Sequence, residues 1–128
     1  MPNMGPSILI VDDDTGVLAF YQEYLGQRFV VDTALSGAQA MELVQTQGPY
    51  AVVVADKNMP EMDGIEFLEQ CARIAPDMVR LMLTGDADVR SAIEAINKGH
   101  ISQFLTKPCP PELISAAIET AVQQHKMA

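Results

Sequence analysis

With 128 residues, 48% of them apolar and 20% charged, the chain has the size and makeup of one globular domain and is too short for two ordinary ones. Its formal net charge of −9 disfavours direct contact with nucleic acid or an anionic membrane, which needs clustered Lys and Arg, and favours cations as ligands. No apolar run approaches the length of a membrane span, and Met1 to Ser7 lacks the basic and apolar regions of a signal peptide, so a cytoplasmic location is expected.

Residues 1–6 are expected to form a flexible N-terminal segment ahead of one domain over residues 7–128. Ser7-Ile8-Leu9-Ile10-Val11 is a short β-rich apolar run that ends on Asp12, Asp13 and Asp14. Val17, Phe20, Tyr21, Tyr24 and Leu25 then recur at helical spacing, with Asp14 or Thr15 available as N-cap and Gly26 as a stop. Residues 28–34 read as a strand near a sheet edge, because their apolar run is shorter. Ser36 and Gln39 form a capping box for a helix carrying Ala40, Met41 and Val44, which Gly48-Pro49 ends.

The central stretch is Ala51-Val52-Val53-Val54-Ala55-Asp56. An apolar run without polar alternation suits a strand buried on both faces, and this one stops abruptly on a carboxylate. Asp63 can cap a third helix with Ile65, Leu68, Ala72 and Ala75 on one face, closed by Pro76. Residues 78–83 read as a fourth strand that stops at Thr84-Gly85-Asp86, and a fourth helix carries Val89, Ala92, Ile93 and Ile96 on one stripe. Residues 101–105 form a fifth strand ahead of Thr106-Lys107-Pro108, and Pro110-Pro111 opens a last helix with Leu113, Ile114, Ala117 and Ala121 inward. Cys71 and Cys109 have no metal-like spacing and are assigned no chemistry; His100 and His125 are read as solvent-facing.

Strand and helix thus alternate five times, which predicts an α/β fold with a doubly wound, five-stranded parallel sheet. In the common flavodoxin-like order 2-1-3-4-5, the first and third strands lie side by side at the switch point where ligands gather. Here those strands end on Asp12-Asp13 and on Asp56. Carboxylates so close repel one another, and a hard divalent cation such as Mg²⁺ is the usual way to keep them ionised. One Asp would suffice to cap a helix, so the triple Asp favours the metal. Thr84 adds a hydroxyl and Lys107 a fixed positive charge at the ends of the fourth and fifth strands, completing a site suited to a phosphoryl group. Singly, Thr84 reads as a turn cap and Lys107 as a solvated cation; their joint placement favours the site.

Four motifs in order carry a resemblance over nearly the whole chain. They are Ile8-Leu9-Ile10-Val11-Asp12-Asp13-Asp14, then Asp56 with Met59-Pro60 and Met62-Asp63-Gly64, then Leu83-Thr84-Gly85, then Phe104-Leu105-Thr106-Lys107-Pro108. The chain resembles the receiver domain of a bacterial two-component response regulator. The resemblance implies that Asp56 takes a phosphoryl group from the phosphohistidine of a histidine kinase or phosphotransfer protein. It implies that Asp13, Asp56 and the backbone carbonyl of Asn58 bind Mg²⁺ directly, with Asp12 acting largely through water. Thr84 would bond the phosphoryl oxygens, Lys107 would pair with the phosphoryl group, and Phe104 would be an aromatic switch, unless it is plain core packing. Lys107-Pro108 would be a cis peptide. The face of the fourth helix, fifth strand and fifth helix would dock an output domain or a second receiver, a homodimer included. Apart from self-phosphorylation and slow autodephosphorylation of Asp56, no enzymatic activity is implied.

Asn58 and Asp86 occupy positions where family variation affects the lifetime of the acyl phosphate, and Lys57 puts a cation beside the acceptor. The segment from Ala95 to Pro108 also resembles receivers joined to HD-type cyclic-dinucleotide phosphodiesterases, so a tethered output of that kind is one expectation. Two other readings stand beside the switch. An aspartyl-phosphate phosphohydrolase would want a second carboxyl as general acid where this chain has Asn58. A non-phosphorylated pseudo-receiver would have lost an acidic residue, Thr84 or Lys107, and none is lost.

Overall fold

Ten elements alternate along the chain: β1 (Ser7–Val11), α1 (Thr15–Leu25), β2 (Val30–Ala34), α2 (Gly37–Thr46), β3 (Val52–Ala55), α3 (Gly64–Ile74), β4 (Val79–Thr84), α4 (Val89–Gly99), β5 (Gln103–Thr106) and α5 (Pro111–Lys126). The computed structural model describes residues 5–85 and 89–127, without the side chains of Val89 and Ser91. Asp86, the expected place of Val89 on its helix stripe, and most of the expected N-terminal segment lie outside the described residues.

The five strands form one parallel sheet in the order β2-β1-β3-β4-β5. Val52 to Ala55 of β3 are fully buried, as the unbroken apolar run requires, and β2 lies at the edge. Alternate residues of each strand point to opposite faces. Ile8, Ile10, Val52 and Val54 pack with α1 and α5, whereas Leu9, Val11, Val53 and Ala55 pack with α2, α3 and α4. Helices therefore cover both faces, and the polar groups that close the strands are confined to the sheet's rim.

Local capping follows the expected chemistry. The Asp14 Oδ1 accepts from the Gly16 and Val17 N–H groups at 2.9 and 3.2 Å, and Asp63 Oδ1 accepts from the Glu66 N–H at 2.9 Å. Ser36 Oγ accepts from the Gln39 N–H at 3.1 Å, but Gln39 reaches one residue further back than a standard capping box, accepting from the Leu35 N–H at 2.7 Å. Lys107-Pro108 is cis, and so is Gly48-Pro49.

Several helix faces differ from the sequence expectation. In α1 the buried stripe is Leu18, Tyr21 and Leu25; Phe20 and Tyr24 are exposed and stack on each other at 6.0 Å. In α3, Phe67 and Cys71 join Ile65 and Leu68 in the core, while Ala72 and Ala75 are only partly buried. In α5, Ile114, Ala117 and Ala121 face inward but Leu113 is exposed. The largest change is in α4, where Ile93 and Ile96 are each 54% exposed and the core contact is made by Ala95 and Gly99. A Cβ on Gly99 would lie 3.4 Å from the Leu68 Cβ, so α4 rests close on α3 and only small residues fit between them. Apolar periodicity marked the helix correctly but not which side of it meets the protein.

Strands β4 and β5 begin and end slightly later than expected, which brings Thr84 into β4. Cys71 is buried and Cys109 half-buried, both free; His100 is exposed, but His125 is half-buried rather than solvent-facing. Among the described residues, no helix is long and apolar enough to cross a membrane.

The seating of α4 sets an asymmetric response to substitution. Overpacking its contact by Ala95→Leu should cost about 1–3 kcal/mol in urea unfolding, whereas Ile93→Glu should stay within about 0.5 kcal/mol of the parent. The opposite ranking would mean that α4 presents its isoleucines to the core.

Candidate metal site at the strand ends

Register alone brings two acids together. Val11 pairs with Ala55 across β1 and β3, so Asp12 and Asp56 leave neighbouring strands at the same level, and the Asp56 N–H donates to the Val11 carbonyl at 3.0 Å. Asp13 follows at once in the chain. Carboxylate oxygens of Asp12, Asp13 and Asp56 all lie within 4.8 Å of one another. Asp12 and Asp56 are buried, at 3% and 8% exposure, while Asp13 is exposed. Two acids therefore line the floor and the third stands at the mouth.

Lys107 enters from the far edge of the sheet, just beyond β5. Its N–H is held by the Thr84 carbonyl at 2.9 Å, in continuation of the β4–β5 pairing. Its Nζ donates to Asp12 Oδ2 at 2.5 Å and to Asp56 Oδ2 at 3.2 Å. The remaining oxygens of the two buried acids turn to their own loops: Asp12 Oδ1 accepts from the Asp14 N–H at 3.0 Å, and Asp56 Oδ1 faces the Asn58 N–H at 3.4 Å. Both are Asx-type contacts to the residue two positions on.

One ammonium against three carboxylates leaves the cluster short of positive charge. Burial pushes the Asp12 carboxyl above its ordinary range; the Lys107 and Asp14 contacts pull the other way, and the charge of Asp56 adds to the rise. Burial alone would lower Lys107, but its hydrogen bond to Asp12 and the charges of Asp12 and Asp56 more than offset it, and its pKa is raised. The lysine is thus firmly charged while the carboxylates remain under-compensated. Three hard oxygen donors in that condition are suited to a divalent cation of the Mg²⁺ type, which takes few protein ligands and keeps several waters.

The structure brings together Asp12, Asp13, Asp56 and Lys107, with the Asn58 N–H beside Asp56. Thr84 closes β4 with its side chain fully buried, next to Thr106 in register. Phe104 lies on β5 across from Met82, half-buried and packed against the α2–α3–α4 side of the core. The bridge from Lys107 to Asp12 was not expected from sequence, because nothing local links residues 95 positions apart. The contact within Asp12-Asp13-Asp14 was legible in principle, since Asx turns span that spacing.

A family model of the response regulator receiver domain matches residues 8–119. The chain is 30% identical to the hydrogenase transcriptional regulatory protein HoxA of Cupriavidus necator over 96% of its own length, but spans only 25% of that relative. Among solved structures, the signal receiver domain of an HD domain-containing protein from Pseudomonas fluorescens superposes with a TM-score of 0.92 at 28% identity, covering 97% of this chain and 99% of the other. An adenylate cyclase structure from Rhodopirellula baltica gives 0.91 at 37% identity, over 97% and 92% of the two chains.

The charge deficit is open to measurement. Because the Asp12 pKa is raised in the folded state, the group favours folding below its ordinary value of 3.8 and loses that contribution as pH rises through the folded value. Asp12→Asn should therefore make the chelator-treated protein more stable than the parent at pH 7, with the gap narrowing as pH falls toward 4. A less stable variant at pH 7 would show that Lys107 already balances the acids.

Proposed function

Since this chain belongs to the response regulator receiver domain family, whose members are signalling domains that interact with histidine kinases and output domains, we propose that it is a phosphorylation-controlled switch with Asp56 as acceptor. The convergence of Asp12, Asp13 and Asp56 on the Lys107 ammonium carries this reading. A phosphorylated histidine of a kinase or phosphotransfer protein is the donor. An Asp56 carboxylate oxygen forms the new bond to phosphorus as the P–N bond breaks, and the electron pair of that bond returns to the imidazole nitrogen.

Receiver domains generally bind Mg²⁺ at an acidic pocket, and the donor set here fits that ion. Asp13, Asp56 and the Asn58 carbonyl would hold it, with Asp12 acting through water. When bound, the ion offsets the charge of the acids and of the incoming phosphoryl oxygens. Lys107 exchanges part of its present pairing with Asp12 and Asp56 for the phosphoryl group. Thr84 donates its hydroxyl to a phosphoryl oxygen, and Phe104 turns inward as Thr84 moves. Asp56 subsequently loses the group by slow autodephosphorylation. Asn58 offers no carboxyl proton, which weighs against steady phosphohydrolase turnover.

The α4–β5–α5 face is the output surface in this reading. Ile93, Ile96 and Leu113, all more than half exposed, support it as a docking face for an output domain or a second receiver. The domain proper would run from residue 7 to 128 after a short leading segment, with a cytoplasmic setting and without direct nucleic-acid or membrane contact. The chain spans about a quarter of the curated relatives it matches, so the effector is open among transcriptional, cyclase and HD-type phosphodiesterase modules. The similar receiver from Pseudomonas fluorescens belongs to an HD domain-containing protein, which supports an HD-type module.

Incubation with Mg²⁺ and a small phosphodonor should add one phosphoryl group to the parent and none to Asp56→Asn. Asp13→Asn should need at least about tenfold more Mg²⁺ for the same labelling, roughly 1.4 kcal/mol. Equal labelling of parent and Asp56→Asn, read by intact mass, would reject the acceptor.

A further inference from the structure

We propose that Gly64 is a positioning residue for the phosphoacceptor: its missing side chain lets the start of α3 close on the main chain of Asp56 and Lys57. The inference rests on the reading of Asp56 given above and assigns a role to a residue outside the acid cluster. A Cβ on Gly64 would lie 2.0 Å from the Asp56 carbonyl oxygen, 2.8 Å from its carbonyl carbon and 2.9 Å from the Lys57 Cα. All three are backbone atoms, with no flexible side chain to give way. No described glycine has a positive φ, so backbone freedom is not what the position demands. The requirement is for space.

The same residue also ties the loop shut. The Gly64 N–H donates to the Lys57 carbonyl at 2.7 Å, so the turn from Lys57 to Asp63 begins and ends at one point. Asn58 lies inside that closed turn, one residue past the contact, and its N–H faces the Asp56 carboxylate. Asp63, the preceding residue, caps α3 through Glu66 and anchors the other side of the closure. Any side chain at Gly64 must therefore displace the Asp56 carbonyl or lift α3 away. Either shift moves the Asp56 carboxylate and Asn58 relative to Asp12 and Asp13, which follow β1 directly. Gly37 offers a contrast on the opposite flank of the same loop. A Cβ there would meet the Met62 Sδ at 3.0 Å, its Cβ at 3.3 Å and its Cγ at 3.4 Å, side-chain atoms that need give by only a few tenths of an ångström.

The test compares Gly64→Ala with Gly37→Ala and with Ile118→Ala, a core change on the other face of the sheet. Mg²⁺ affinity by calorimetry and Asp56 labelling are measured well below each melting temperature. Gly64→Ala should weaken Mg²⁺ binding by about tenfold or more and slow labelling in parallel. Gly37→Ala and Ile118→Ala should bind as the parent does, whatever their loss of stability. Amide shifts in Gly64→Ala should concentrate at residues 56–58. Should Gly64→Ala be unfolded in buffer, the same titrations in trimethylamine oxide, which favours the compact state, provide the comparison. Parent-like affinity and labelling in Gly64→Ala would overturn the proposal, as would an equal loss in Ile118→Ala. A parent protein that neither binds Mg²⁺ nor takes label would instead overturn the reading of Asp56.

Discussion

The contact on which the site depends is the Lys107 ammonium lodged between the buried carboxylates of Asp12 and Asp56. It links the loops after the first, third and last strands across the end of the sheet. Buried acids side by side are costly unless a cation meets them, and removing one partner from such a group leaves charge without compensation. Lys107 supplies part of that compensation and leaves the remainder unmet. That shortage is what suits the cluster to a further cation.

The topology of the sheet produces this arrangement. Parallel pairing places the carboxyl ends of all strands at one rim, and the order β2-β1-β3-β4-β5 makes the strands that carry Asp12 and Asp56 immediate neighbours. Helices on both faces keep the bodies of β1 and β3 dry, so in these two strands charge comes only where the strand stops. The same architecture separates duties among the helices. Asp14 and Asp63 spend their carboxylates on the N-termini of α1 and α3, and so remain outside the acid cluster although they are close in sequence. Among the described residues, the only acid cluster suited to a cation is the one at this rim.

Much of this was legible in the amino-acid order, for specific reasons. An unbroken Val52-Val53-Val54 run has few solutions other than a strand covered on both sides, and two such runs ending in acids point to a shared rim. Strand order came from the common arrangement of such sheets, and residue spacing could not have proved it. Helix orientation was less legible. In α4 the isoleucines define a clear stripe, yet close approach to α3 reserves the contact for Ala95 and Gly99. In α1 the aromatic Phe20 and Tyr24 satisfy each other on the outside while Leu18 turns in. Local periodicity reports that a helix has a distinct face; the distance between packed helices decides which face is buried. The double engagement of Lys107 was likewise invisible, because it joins residues that only the closed sheet brings together.

Acids delivered by separate strand ends meet in one under-neutralised pocket. A titration with Mn²⁺, followed through paramagnetic broadening of the backbone amide signals, locates a bound divalent ion directly. Broadening centred on residues 12–14 and 56–58, reversed by excess Mg²⁺ and lost in Asp13→Asn, is the predicted result. Broadening centred elsewhere on this acidic surface, or none at millimolar ion, would contradict it.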